Sequence, residues 1–112
     1  MKAVIELETD VALFYILSQR DTVTSEELFK IGTRLQANVP GVMIDTTFLA
    51  VQEAVRDHGT LFTLSGSHNS YTVSKLNVDS MFFNLSFLDR CYAPLFKDTD
   101  FQKIKSVLTR SH

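Results

Sequence analysis

Residues 58–76 read HGTLFTLSGSHNSYTVSKL. Two short β-prone runs, TLFTL and SYTVSKL, flank a polar tip, SGSHN, which is the pattern of an antiparallel hairpin. A helical pattern ends just before it, at Gly59, a residue type suited to a left-handed position closing a helix. The tip holds Ser65, Ser67, His68, Asn69 and Ser70 but neither Lys nor Arg. The position of this hairpin decides the fold, and its uncharged tip raises the question of what it touches.

Upstream lie three helical patterns. Residues 9–19, TDVALFYILSQ, are apolar on most sides, with Thr9 the expected N-cap. The preceding KAVIEL fits a short strand, with Ala3, Ile5 and Leu7 on one face; the first turns of a longer helix are the alternative. Thr24-Ser25-Glu26-Glu27 is a capping box, and Val23 with Leu28 fits the hydrophobic staple. Leu28, Ile31 and Leu35 then form a buried stripe, and Pro40-Gly41 requires the second helix to end near Ala37 or Asn38. The third helix is expected to start at Asp45 as its cap. Ile44 and Leu49 would form its staple, and Phe48, Val51 and Val55 its inner face.

Downstream of the hairpin, Val78–Tyr92 predicts a fourth helix ended by Pro94. Thr99-Asp100-Phe101-Gln102 predicts a capping box for a fifth. That last helix would turn Phe101, Ile104 and Leu108 inward and Lys103, Lys105 and Arg110 outward.

The chain has 112 residues, 45% of them hydrophobic, which suits one globular α+β domain over 1–112. The stretch LETDVALFYILSQRDTVTSEELFKIGTRL, followed by TTFLAVQEAVRDHGTLFTL, resembles the winged helix-turn-helix superfamily over residues 7–76. The resemblance implies a three-helix core with a β-hairpin wing, followed by two C-terminal helices over 77–112. It departs from the family pattern between helices two and three, where NVPGVMI exceeds the usual turn of three or four residues.

The resemblance also implies DNA binding and transcriptional regulation, with helix three in the major groove and the wing on the backbone. The residues for that role are Thr46, Thr47, Gln52 and Arg56 on or beside helix three, His68 and Asn69 at the tip, and Lys75 on the hairpin. Helical geometry, however, sets Thr46, Ala50, Glu53 and Asp57 opposite the inner face. Two carboxylates then stand where phosphate would lie. The net charge is −2, with nine acids against five bases in residues 1–60 and four against six in 61–112. The competing expectation is a non-catalytic protein-interaction module on the same scaffold.

Six of the twelve aromatic residues fall between Phe82 and Phe101. Adjacent Phe82 and Phe83 cannot share one narrow helical stripe. Phe82, Phe83, Phe87, Tyr92 and Phe96 are therefore expected to form a homodimer interface. A lone Cys91 excludes an internal disulfide framework and has no neighbour at zinc-ligand spacing. The histidines, His58, His68 and His112, are scattered, and no glycine-rich phosphate loop is present. No enzyme activity, cofactor or metal is expected. MKAVIELETD meets acids too early for a signal peptide, and no apolar run approaches the roughly 20 residues of a membrane span. The expected setting is cytoplasmic, with no membrane partner.

Overall fold

The computed structural model describes residues 5–59, 61–76, 90, 94 and 98–110. They form a mixed α+β fold. In chain order the elements are β1 (Ile5–Leu7), α1 (Thr9–Leu17), β2 (Thr22–Thr24), α2 (Ser25–Asn38) and β3 (Val42–Ile44). There follow α3 (Phe48–Asp57), β4 (Phe62–Ser67), β5 (Ser70–Lys75) and α4 (Asp98–Thr109).

Helix α1 sits at the centre because its sequence leaves it no polar face. Every residue from Val11 to Leu17 is buried, and a helix apolar on all sides must be enclosed. α3, α4 and β2 pack against it. α2 turns Leu28, Ile31 and Leu35 inward, and α4 contributes Phe101, Ile104, Val107 and Leu108 to the same core. The stripes expected for α2 and α4 are both present.

Two sheets frame the helices. β4 and β5 form the hairpin, with Ser67 opposite Ser70 across a two-residue turn, His68-Asn69. β2 adds antiparallel to β5, giving the order β2-β5-β4. Val23, Val73 and Leu64 stand in one row across the three strands, and Val23 and Val73 are fully buried. The second sheet is a parallel pair, β1 with β3. It accounts for the long NVPGVMI connection. Gly41 turns the chain at φ 94°, and Val42–Ile44 lies alongside Ile5–Leu7. β1 was expected as a strand; β3 was not.

The capping box at the start of α2 forms as expected. The Glu27 N–H donates to the Thr24 hydroxyl at 3.2 Å, and the Thr24 N–H donates to Glu27 Oε1 at 3.0 Å. Arg20 adds an ion pair to Glu27 at 2.8 Å and also donates to the Arg110 carbonyl at 2.7 Å. The Thr24 backbone N–H holds the Glu27 carboxyl below its ordinary value of 4.5. Burial opposes this, and the Thr24 hydroxyl and Arg20 reinforce it. A depressed carboxyl pKa stabilises the fold above the unfolded-state value, and that contribution is lost as pH falls through the folded one. Glu27→Gln should therefore unfold more easily than wild type at neutral pH. The difference should close on acidification below pH 4.5, which urea titrations at several pH values would reveal.

Five local expectations are corrected. Thr9 does not cap α1: the helix already includes it, the N-cap position is Glu8, and the Thr9 hydroxyl donates instead to the Asp45 carbonyl at 2.9 Å. The cap of α3 is Thr47 rather than Asp45. This shift leaves Leu49 65% exposed, so no Ile44–Leu49 staple forms. Gly59 is not left-handed; among the described residues only Gly41 and Gly66 have positive φ. His58 ends α3 instead, its N–H donating to the carbonyls of Ala54 and Val55. Finally, α4 starts at Asp98, so Thr99 lies inside the helix rather than at its cap.

The predicted fourth helix falls largely outside the described residues. So do Cys91 and the dimer-interface candidates Phe82, Phe83, Phe87, Tyr92 and Phe96.

Candidate interaction surface along α3 and the hairpin

The start of α3 is fixed by a relay of short polar side chains. Asp45 Oδ1 accepts from the Thr47 N–H at 2.9 Å and from the Thr47 hydroxyl at 2.7 Å. The Thr47 hydroxyl in turn accepts from the Ala50 N–H at 3.3 Å. The hairpin holds the same point, for the Tyr71 hydroxyl donates to the Thr46 carbonyl at 2.8 Å. The Phe48 and Tyr71 rings lie 5.5 Å apart. Burial, and then the Asp45 carboxylate, push the Tyr71 phenol above its ordinary value of 10. It therefore remains a proton donor throughout the neutral range.

The other end of α3 is tied to α1. His58 Nε2 lies 2.9 Å from Asp10 Oδ2, and the His58 ring stands edge-on to Phe14, 5.1 Å between centroids. The hairpin root closes over these rings. Phe62 packs edge-on against Phe14 at 5.1 Å, and its N–H donates to the His58 carbonyl at 3.1 Å.

Against this frame the expected contact residues separate. Gln52 and Arg56 are exposed and one turn apart on α3, and His68 and Asn69 are exposed at the hairpin turn. Thr47 is exposed, but its hydroxyl is engaged twice in capping the helix. Thr46 is half-buried, with its carbonyl held by Tyr71. Lys75 points inward. Its ammonium donates to the Leu17 carbonyl at the end of α1, 3.0 Å away, and lies 3.7 Å from Asp21 Oδ1. The side chain is only 11% exposed. A cation there satisfies a free helix-end carbonyl and suits the negative end of the helix dipole. The hairpin's single cation thus serves the core.

The inner face of α3 is also rotated from the expected one. Val51 and Ala54 are buried, whereas Phe48 and Val55 are only half-buried. Glu53 and Asp57 consequently border a groove of about 320 Å³ between α3 and the β1–α1 segment. Its lining carries six carboxylates: Glu6, Glu8, Asp10, Asp45, Glu53 and Asp57. Sequence reasoning found the last two as the acidic face of helix three. It missed the first three, although the run Glu6-Leu7-Glu8-Thr9-Asp10 is itself acidic, because nothing local says that this run lies beside α3. Among the described residues no group of three or more His, Cys, Asp or Glu side chains is arranged to hold a metal ion. Nor is any helix among them long and apolar enough to cross a membrane.

Compared with known proteins, the chain matches no protein-family model, no curated protein and no solved structure.

Proposed function

We propose that residues 7–76 form a winged-helix-like core, and that the acidic groove between α3 and the β1–α1 segment binds a basic protein surface rather than duplex DNA. Two features support the scaffold reading. One is the order α1-β2-α2-α3-β4-β5. The other is the pairing of β2, the strand between the first two helices, with the second hairpin strand. The parallel pair β1–β3 is this chain's departure, inserted where the family has a short turn.

The observation that carries the functional reading is the carboxylate-lined groove along α3, reinforced by the inward-turned Lys75. DNA affinity comes largely from Lys and Arg replacing counterions on phosphates. Each carboxylate about 10 Å from a phosphate instead costs roughly 0.4 kcal/mol in water before screening. Lowering the salt extends the reach of that repulsion. The surface therefore loses affinity for DNA in the regime where a DNA-binding protein gains it, and the complement it calls for is basic. A transcriptional regulator is the second reading. It is favoured by Gln52 and Arg56, which form an exposed stripe separate from the acids and suited to base edges.

Fluorescence anisotropy with mixed-sequence duplex DNA at two salt concentrations decides between them. The interaction reading expects no binding at either. Binding at low salt that weakens steeply as salt rises, and that is lost in Arg56→Ala, would establish the regulator instead.

A further inference from the structure

The face formed by α2 and β3 has an arrangement that the α3 groove does not explain. Phe29 lies on the solvent side of α2 with 66% of its surface exposed, and Met43 on β3 is 39% exposed. Between them is a pocket of about 120 Å³, bordered by Phe29, Gly32, Thr33, Gln36, Met43 and Ile44. Gly32 leaves it open: a Cβ at that position would sit 3.4 Å from Thr46 Cγ2. The volume is well below the roughly 300 Å³ at which small-molecule sites begin. It suits one side chain.

Charge is divided across this apolar centre. At about 100° per residue, Lys30 and Arg34 fall on the flank of α2 away from β3. On the other side the parallel register sets Glu6 of β1 beside Met43, and Glu6 continues into the acidic groove. Glu26 shares that flank with Lys30 and Arg34, two cations against one carboxylate, so the face runs from weakly basic through apolar to acidic. Among the described residues Lys30 makes an exposed helical pair with Glu26 at 3.3 Å, a kind of contact readily exchanged for another.

We propose that this face is a two-fold self-association surface, in which Phe29 of each copy enters the Gly32–Met43 pocket of the other. An axis through the apolar centre brings the basic flank of each copy over the acidic flank of its mate. An isologous contact makes that match twice with no second protein. The proposal does not rest on the partner suggested for α3, but Glu6 borders both surfaces, so the two partners would compete for it.

Sedimentation equilibrium over a range of protein concentrations tests it. The wild-type chain should show a monomer–dimer equilibrium. Phe29→Ser removes a buried aromatic from both halves, so it should weaken the dimer on the order of 100-fold. Its melting temperature as a monomer should stay close to wild type, because Phe29 is exposed in the protomer. Lys30→Glu should weaken association, and Glu6→Lys added to it should restore it. A wild-type chain that stays monomeric at high concentration would overturn the proposal. So would a dimer indifferent to Phe29→Ser, or a charge reversal that the second substitution fails to rescue.

Discussion

Phe62→Ala is expected to lose about 3–5 kcal/mol of folding stability, the usual cost of emptying a buried aromatic site. Phe62 is 1% exposed and stands where three elements meet. It opens β4, its backbone is held by the end of α3, and its ring meets Phe14 of α1 and His58. The lost edge-on pairings add about 0.5–1.5 kcal/mol to simple burial, which places the substitution in the upper part of the range. A domain of this size has roughly 5–15 kcal/mol to lose, so about a fifth or more of its stability rests on one ring. Urea unfolding should show a much lower midpoint with an unchanged slope, the mark of a stability change without a change in the surface exposed. Phe62→Leu should lose clearly less, since it keeps most of the volume. Equal losses for the two variants would mean that the ring pairings, and not the filled space, hold the hairpin root.

Gly66→Ala is the second large effect, at about 2–3 kcal/mol, and its mechanism is different. Gly66 has φ 100°, a region costly for any residue with a Cβ. A Cβ there would lie 2.3 Å from the Ser70 carbonyl oxygen and 2.9 Å from Tyr71 Cα. Both are backbone atoms of the facing strand and cannot rotate away. No non-glycine residue described has positive φ, so His68 and Asn69 make the turn in ordinary conformations and Gly66 supplies the left-handed step. The variant should keep its helices, while amide resonances of residues 63–73 shift and lose exchange protection. A variant with wild-type stability and an undisturbed hairpin spectrum would refute this account.

The parts of this fold legible in the sequence are those fixed by neighbours in the chain. Thr24 and Glu27 announce the start of α2 because a capping box closes within four residues. Leu28, Ile31 and Leu35 announce its buried side for the same reason, and the hairpin declares itself by alternation around a polar tip. The missed features depend on distant partners. Val42–Ile44 is three residues long, and its pairing partner lies 37 positions earlier. A parallel pair also has no connecting turn to advertise it. Asp45 and Thr47 both have capping chemistry, and the choice between them was settled by where β3 ends and where Tyr71 holds Thr46. Lys75 reads as a surface cation until its position over the end of α1 is known. The candidate surface suffered most, because three of its carboxylates come from β1 and the start of α1.

The enclosure of α1 also governs how the chain can be made. α1 occupies residues 9–17, and α4, one of the elements that cover it, occupies residues 98–109. Some eighty residues must be synthesised between the two. During that interval a helix with no polar side is only partly sheltered, and partly sheltered apolar surface is what nascent chains lose to aggregation. The contacts that finish the core are also among the most distant in sequence, which slows their formation. A chain lacking α4 is thus expected to leave part of α1 uncovered and to aggregate more readily than one that carries Phe101, Ile104 and Leu108.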